Sequence, residues 1–238
     1  MENKLKYKRV LLKLSGEAFL GTRDFGIDPH FVDGISKELS EIINIGVELV
    51  IVIGGGNFFR GKAAEKNGLD RTSADYIGML ATVMNSIALK DSFDKMGIPV
   101  RVMSAIEMPK VCESYIRDKA VYQLKKGRTI IAAAGSGNPY FSTDTAAALR
   151  ALELKCDVVL KATKVDGIYT HDPKLVKEAQ KYPQISHKQA ITDELKVMDA
   201  TALSLCMENK MPIIVFNLLE KGNIKKVVLG EEIGTIVS

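Results

Sequence analysis

The amino-acid sequence predicts an α/β protein with a parallel, doubly wound sheet. Short and almost continuously apolar runs, such as VELVIVI at 47–53, are typical of strands that are covered on both faces. Segments with helical apolar spacing lie between these runs, and repeated strand–helix–strand units favour a parallel sheet. No repeat or low-complexity linker interrupts this alternation. We therefore expect a single domain over residues 1–238, with functional halves at about 1–150 and 151–238.

The first strands and helices are predicted from residues that typically begin or end such elements, as well as from apolar spacing. Residues 8–14, KRVLLKL, predict a buried strand that runs into Ser15-Gly16. Asp28-Pro29 combines an N-cap residue with proline at the first helical position, and it predicts a helix that continues to the stop signal Gly46. The apolar run 47–53 is the second strand. The same alternation predicts, in order, helix 73–95, strand 99–103, helix 117–126, strand 128–133, helix 144–154, strand 156–161, strand 213–216 and helix 221–229.

Composition limits the classes of protein that the sequence can encode. Apolar residues make up 46%, enough for a sizeable core, but no apolar run reaches the roughly 20 residues of a membrane span. The net charge is +4, no run of five like charges occurs and Trp is absent, so we expect no nucleic-acid or membrane partner. The three cysteines are dispersed, which indicates reduced thiols in a cytoplasmic protein. We expect no signal peptide and no structural metal site.

The stretch 56–62 matches G-x-x-x-x-G-K, which is most of a phosphate-binding P-loop. A P-loop continues with Ser or Thr, whose hydroxyl binds Mg²⁺, but Ala63 stands at that position. A helix opening at Lys62 would soon meet Asn67-Gly68, so the strand–loop–helix context is also missing. We interpret the match as accidental.

Four unusual segments follow predicted strands, where α/β sheets bind their ligands. Lys13 either reaches solvent along its apolar stem or neutralises an anion, because a buried unpaired lysine is costly. Glycines 54–56 are consistent with an ordinary turn or with a close approach of the backbone to a ligand. The guanidinium group of Arg60 can donate two hydrogen bonds to phosphate oxygens. The segment 135–144 leads into the start of a helix. Its polar residues are explained in part by helix capping, and the positive end of the helix also favours a bound phosphate. The segment 161–173 is as consistent with a plain hairpin as with a nucleotide pocket. Together the four favour phosphoryl transfer.

A known family shares six motifs in this order and spacing: KLSGEAF, VIVIGGGNFFRG, GMLATVMN, GSGNPYFSTDTAA, LKATKVDGIYTHDP and ELKVMD. By these motifs the chain resembles bacterial uridylate (UMP) kinases of the amino-acid kinase superfamily over residues 8–237. The resemblance implies a three-layer αβα sandwich with a mostly parallel central sheet, the amino-acid kinase fold, without a P-loop. It also implies ATP + UMP → ADP + UDP in de novo pyrimidine biosynthesis, with UMP in the first half and ATP in the second.

The resemblance implies roles for individual residues. Catalytic roles fall to Lys13, Asp144 and Lys161. The positions that bind UMP are Gly55, Arg60, Asp75, Ser136, Gly137, Asn138, Pro139, Tyr140, Phe141, Ser142 and Thr143. The positions that bind ATP are Lys13, Leu14, Ser15, Gly16, Gly56, Arg60, Thr163, Tyr169 and Asp172. Mg²⁺ is carried by ATP, without a separate metal site in the protein. Asp199 matches a family position near the ATP half, and its role is left open.

The expected chemistry needs no catalytic base, because a phosphate monoester with a second pKa of about 6 is already mostly a dianion at neutral pH. The obstacle is charge repulsion, roughly 4 kcal/mol for one pair of unit charges at about 4 Å and an effective dielectric of about 20. Lys13, Lys161, Arg60, helix N-termini and Mg²⁺ can offset it and stabilise a loose transition state. We expect Asp144 to orient the lysines or Mg²⁺.

Family members are usually hexamers built on dimers, and many are activated by GTP and inhibited by UTP. The residues that resemble the family's GTP region are Gly21, Thr22, Arg23, Asp24, Phe25, Gly26, Arg101 and Arg128. Asp94 stands where some GTP-activated members carry histidine, and its carboxylate disfavours a nearby triphosphate. We expect a homo-oligomer, a hexamer by resemblance, with GTP and UTP as candidate effectors.

Two alternatives share parts of these signals. A carbamate or acetylglutamate kinase would need a pocket for a small carboxylate, whereas the extended GNPYFSTD loop and Asp75 favour a nucleotide. A non-catalytic nucleotide sensor on the same fold would be expected to lose Lys13, Asp144 or Lys161, and all three are present. A P-loop UMP/CMP kinase is excluded by the failed motif.

Overall fold

The computed structural model describes residues 5–59, 68–171, 173, 175–176, 178–195 and 197–238. The strands are β1 Arg9–Leu14, β2 Glu48–Ile53, β3 Val100–Ser104, β4 Glu113–Ser114, β5 Thr129–Ala133, β6 Val158–Thr163, β7 Ile168–Tyr169, β8 Lys181–Tyr182, β9 Gln184–Ile185, β10 Ile213–Asn217 and β11 Thr235–Val237. The helices are α1 Pro29–Asn44, α2 Arg71–Lys95, α3 Arg117–Lys125, α4 Thr143–Glu153, α5 His187–Thr192, α6 Ala200–Glu208 and α7 Asn223–Leu229, with a 3₁₀ helix at Gly16–Leu20. In this described part of the chain, no helix has both the length and the apolar character that crossing a membrane requires.

One nine-stranded sheet has the order β4-β3-β5-β2-β1-β6-β10-β11-β9, and β7 and β8 form a separate antiparallel pair. Neighbouring strands of the large sheet are parallel, apart from β10 and β11. β1 lies in the middle, with β2 on one side and β6 on the other. The strand order reverses here, so the carboxyl ends of these three strands border the crevice where such sheets bind ligands.

Helices cover both faces of the sheet, so the predicted three-layer architecture is confirmed. Leu12 and Leu14 of β1 pack into a core with α1, α2 and α7, whereas Leu11 packs into a second core with α3, α4 and α6. Side chains alternate along a strand, so Lys13 points to the same face as Leu11. The fold therefore directs this lysine towards α4.

The predicted strands and helices agree with the structure to within about two residues at each end. Asp28 caps α1 by accepting from the backbone N–H of His30 at 2.9 Å. α2 begins two residues before its predicted start because Asp70 caps it, accepting from the N–H of Ser73 at 2.9 Å. The 3₁₀ helix, the short strands β4, β7, β8, β9 and β11, and the helices α5 and α6 were not predicted.

Candidate active site

Lys13 and Lys161 lie side by side near the carboxyl ends of the two central strands. The parallel register of β1 and β6 pairs them directly. Both contact one carboxylate: Lys13 Nζ lies 2.7 Å from Asp144 Oδ1, and Lys161 Nζ lies 3.0 Å from Asp144 Oδ2. Lys161 Nζ also donates to the carbonyl oxygen of Val197. The structure thus brings together the three residues that were predicted to be catalytic.

Two ammonium groups face one carboxylate in this cluster, so it carries an excess of positive charge. Burial acts to raise the pKa of Asp144, but the charges of Lys13 and Lys161 outweigh it and hold that pKa below its ordinary value. Burial lowers the pKa of Lys161, against the opposing effect of Asp144, and the charge of Lys13 adds to the lowering. An anion that contacts both lysines would balance the remaining charge.

Asp144 is held in place by the first turn of α4. Ser142 caps this helix, because its Oγ accepts from the backbone N–H groups of Asp144 at 2.9 Å and of Thr145 at 3.2 Å. The carboxylate of Asp199 accepts from the hydroxyls of Ser142 and Thr145, the latter at 3.0 Å. It also caps α6 through the N–H of Ala202 at 2.9 Å. Asp199, whose role the sequence left open, therefore joins the starts of α4 and α6.

The loops after β1 and β2 cross with almost no space between their backbones. A Cβ atom on Gly16 would lie 2.5 Å from the carbonyl oxygen of Gly54. The N–H of Gly54 donates to the carbonyl of Leu14 at 2.9 Å, which ties the two strand ends together. A Cβ atom on Gly55 would lie 2.7 Å from the carbonyl oxygen of Gly78 in α2. Glycine is therefore required here by packing alone.

A cavity of about 130 Å³ lies between these glycines and α2. Its walls include five residues that were predicted to bind nucleotide, namely Gly55, Gly56, Asp75, Phe141 and Thr143. Thr143 precedes Asp144 in the chain, so this cavity adjoins the lysine cluster. The start of α4 and the glycine loop therefore both border this space.

Asp75 fastens the loop 135–141 to α2. Its Oδ2 accepts from the backbone N–H of Tyr140 at 2.7 Å and from Arg71 Nε at 2.9 Å. The Arg71 guanidinium also lies 5.5 Å from the centre of the Tyr140 ring. Tyr140 has φ 70°, a left-handed conformation that is unfavourable outside glycine, so these contacts hold a strained residue next to the cavity that Asp75 and Phe141 line.

A second cavity, of about 660 Å³, contains the two lysines in its wall. Ser15 and Thr163, both predicted to bind ATP, line it as well. Thr163 also lines an adjoining cavity of about 360 Å³ that contains Tyr169. The phenol of Tyr169 donates to Asp166 at 2.8 Å, which fixes the ring at the edge of this space. The two cavities together are large enough for a nucleoside triphosphate.

The other predicted nucleotide-binding residues have different environments. Arg60 and Asp172 lie outside the described residues. The side chain of Leu14 is fully buried in the core, so only its backbone is available to a ligand. The turn before Tyr140 consists of Ser136, Gly137, Asn138 and Pro139. Within this turn, Ser136 Oγ accepts from the N–H of Asn138 at 3.2 Å.

The predicted GTP region is divided between the two ends of the strands, the carboxyl ends and the amino ends. The segment 21–26 follows β1, and the N–H of Gly26 donates to the carbonyl of Asn57 at 3.1 Å, next to the glycine loop. Arg101 is the second residue of β3 and Arg128 directly precedes β5, so both lie towards the amino ends of parallel strands. A single chain does not bring these groups together, and a shared GTP site remains a prediction that needs contact between subunits.

Polar residues on the buried face of α2 support the active-site loops, and the sequence reasoning missed them. Thr82 Oγ1 accepts from the N–H of Ala134 at 2.8 Å, and Asn85 Nδ2 donates to the carbonyl of Gly54 at 2.7 Å. The only signal available was that these polar residues occupy the apolar face of a helical pattern. The motif GMLATVMN includes both Thr82 and Asn85.

Comparison with known proteins identifies the family of this chain. Residues 8–217 match the amino acid kinase family, so the chain belongs to that family and is a phosphotransferase. It is 39% identical to the UMP kinase of Bacillus anthracis, with a TM-score of 0.95, over 98% of this chain and 96% of the other. It is 35% identical to the UMP kinase of Ureaplasma parvum, with a TM-score of 0.92, over 98% of this chain and 100% of the other. It is 28% identical to the uridylate kinase of Archaeoglobus fulgidus, with a TM-score of 0.72, over 96% of this chain and 99% of the other. The resemblance to bacterial UMP kinases is thereby confirmed.

Proposed function

We propose that this enzyme transfers the γ-phosphoryl group of ATP to UMP, releasing ADP and UDP, as a cytoplasmic step of de novo pyrimidine synthesis. The observation that carries the proposal is that Lys13 and Lys161, which line the larger cavity, both contact the carboxylate of Asp144, the residue after Thr143 in the wall of the smaller cavity. The choice of UMP as acceptor is supported by the Bacillus and Ureaplasma relatives, which are UMP kinases.

In this proposal the first half of the chain binds UMP and the second half binds most of ATP. UMP occupies the cavity beside α2, with its phosphate near Gly55 and the start of α4 and its nucleoside near Asp75. ATP occupies the larger space, with its phosphates near Ser15, Gly16 and the lysines. The two nucleotides then meet at Lys13, which lines the larger cavity and contacts the helix that borders the smaller one.

Lys13 and Lys161 serve the reaction as fixed positive charges. Phosphoryl transfer has a loose transition state, and negative charge accumulates on the oxygens between donor and acceptor. Charges that are already in place stabilise that state without reorganisation, so they act mainly on kcat. The first turn of α4 adds the partial positive charge of a helix N-terminus.

No residue has to remove a proton, because the acceptor phosphate is mostly a dianion at neutral pH. Asp144 suits the task of holding the lysines, since both of its oxygens contact ammonium groups and its lowered pKa makes it a poor base. Across the described residues, no three His, Cys, Asp or Glu side chains form a metal-binding group. We propose that Mg²⁺ enters as part of the substrate, Mg-ATP.

The acceptor is identified by measuring ADP release from Mg-ATP with single acceptors: UMP, CMP, dTMP, AMP, carbamate and acetylglutamate. We expect turnover with UMP alone. Turnover with a carboxylate acceptor instead would retain the fold and the ATP half but overturn the UMP assignments. ATP binding without turnover on any acceptor would favour the nucleotide-sensor alternative.

Asp75→Asn is expected to raise the KM for UMP about tenfold and to change kcat by less than about threefold. The substitution removes the negative charge that holds the Tyr140 N–H and Arg71, and it weakens the contact proposed for the UMP nucleoside. Steady-state kinetics with UMP varied at saturating Mg-ATP measure both constants. Asp91→Asn is the matched control, since Asp91 lies on the same helix and pairs only with Lys95 among the ion pairs that the structure describes there. An unchanged KM for UMP would remove Asp75 from the acceptor site.

We also propose that the enzyme is a homohexamer with GTP and UTP as effectors. Subunit contact is supported by an exposed apolar stripe on α2, which comprises Tyr76, Ile77, Leu80, Met84 and Ile87. The effector proposal is supported by the family resemblance alone. The carboxylate of Asp94, which pairs with Lys90, would repel a nearby triphosphate. Light scattering gives the subunit number, and a GTP titration at subsaturating ATP tests activation.

A further inference from the structure

Two asparagines form a buried amide pair beneath the glycine loop after β2. Asn57 and Asn85 are 3% and 0% exposed. Each side-chain amide donates to the carbonyl oxygen of the other at 2.8 Å. The other N–H of Asn85 donates to the backbone carbonyl of Gly54 at 2.7 Å, and the other N–H of Asn57 donates to that of Gly26 at 2.9 Å. All four amide N–H groups therefore have acceptors.

This pair determines the orientation of one peptide unit. The Gly54–Gly55 peptide is trans, so its carbonyl and its N–H point in opposite directions. Because Asn85 holds the Gly54 carbonyl, the Gly55 N–H points away from Asn85. The next carbonyl, that of Gly55, accepts from the N–H groups of Phe58 and Phe59 at 3.0 Å, so a local turn orients the following peptide. The direction of the Gly55 N–H thus depends on Asn85.

We propose that Asn57 and Asn85 are positioning residues, which hold the Gly54–Gly55 peptide so that the Gly55 N–H can donate to the phosphoryl group in transfer. The inference rests on the proposed phosphoryl transfer. Gly55 lines the acceptor cavity, and a Cβ atom built on Gly54 would lie 3.7 Å from Thr143 Oγ1, at the start of α4. A backbone donor fixed in advance acts most strongly when charge develops on the oxygen it faces.

Loss of the pair would leave the buried Gly54 carbonyl without its donor. A buried carbonyl without a partner is unfavourable, and glycine tolerates both signs of φ, so this peptide is free to rotate. A rotated peptide would present its carbonyl oxygen, in place of the Gly55 N–H, to an incoming phosphate. The amide pair therefore affects the reaction itself and not only the stability of the fold.

Asn85→Leu tests this role, because leucine has a similar volume but donates no hydrogen bond. We expect kcat with Mg-ATP and UMP to fall about 10²-fold and the KM for ATP to stay within about threefold. A crystal structure of the variant should show the Gly54–Gly55 peptide rotated. Ser86→Ala is the matched control: it removes the buried 2.7 Å hydrogen bond that the Ser86 hydroxyl donates to the backbone carbonyl of Thr82 on the same helix, and kcat should stay within about twofold. A normal kcat with an unrotated peptide in Asn85→Leu would overturn the proposal.

Asn57→Leu gives a second test, which decides the matter if Asn85→Leu does not fold. We expect an intermediate fall in kcat of about tenfold, since Asn85 keeps its bond to Gly54 but loses the partner that fixes its amide. The double variant should match Asn85→Leu alone, and a loss equal to the product of the single losses would contradict action through one peptide. If the parent protein transfers nothing to UMP, the proposed function fails, while the peptide orientation in the variant structures still decides the positioning role.

Discussion

Lys13→Ala is expected to lower kcat by about 10³-fold while the KM for UMP changes by less than about threefold. The Lys13 ammonium lies near the end of β1 in the wall of the larger cavity, contacts Asp144 and belongs to a side chain that is 12% exposed. Removing a desolvated, fixed charge from this position costs most when negative charge accumulates between donor and acceptor. The ground-state contacts of UMP lie mainly elsewhere, at Asp75 and the loop 135–141.

The fold should survive this substitution. Asp144 keeps its contact with Lys161 at 3.0 Å, so its buried carboxylate is not left alone. The substitution makes this strand position apolar, and alanine fits beside Leu11 on the same face of β1. A loss of activity can therefore be attributed to the missing charge and not to unfolding.

Steady-state kinetics on the folded variant, with both substrates varied, give the result. Arg9→Ala is the matched control, because Arg9 lies on the same strand, is 16% exposed and pairs with Glu48 away from both cavities. It should lower Tm but leave kcat within about twofold. A near-normal kcat in Lys13→Ala would exclude Lys13 from the mechanism.

The lysine pair could be predicted because it follows from local pattern and topology. Lys13 and Lys161 each follow a nearly continuous apolar run, and a parallel doubly wound sheet brings such strand ends together. The glycine crossing had a similar signal in the three consecutive glycines 54–56. The apolar pattern alone could not predict the carboxylate contact, because Asp144 and Lys13 are distant in sequence and meet only through packing of α4 on the sheet. The expectation that Asp144 orients the lysines or Mg²⁺ came instead with the family resemblance.

The polar contacts that support the loops could not be predicted from periodicity. Asn57 and Asn85 are 28 residues apart, and Ser142 and Asp199 are 57 apart. Apolar spacing identifies which face of a helix is buried, but it does not say which buried polar residue meets which loop. The missed six-residue helix α5 and the two-residue strands have a related origin, since each is too short for a clear period and depends on tertiary contacts.

Asp144→Asn is expected to separate phosphate binding from catalysis. We expect kcat to fall about 10²-fold, because the amide no longer holds Lys13 and Lys161 in a fixed arrangement. We expect the Kd for inorganic tripolyphosphate to fall about tenfold at the same time, since the carboxylate no longer competes with the anion for the two ammonium groups. Tighter binding with slower turnover is the result expected of a residue that orders charges for the transition state.

The variant should also be less stable in the absence of an anion. Removing the shared partner leaves two buried like charges together, which lowers the free energy of unfolding by about 3 kcal/mol and Tm by roughly 6–12 °C. Because the pKa of Asp144 is lowered in the folded protein, its contribution is complete above the ordinary value of 3.8 and is lost as the pH falls below it. The difference in Tm between parent and variant should therefore narrow in acid.

Thermal unfolding with and without tripolyphosphate, together with titration calorimetry, measures these effects. Glu48→Gln is the matched control: it breaks the ion pair with Arg9, whose side chains are 16% and 21% exposed, but leaves the two lysines paired. This control should lose stability without gaining affinity for tripolyphosphate. If Asp144→Asn binds the anion no more tightly than the parent, Asp144 does not compete for the lysines, and its role as their organiser has to be abandoned.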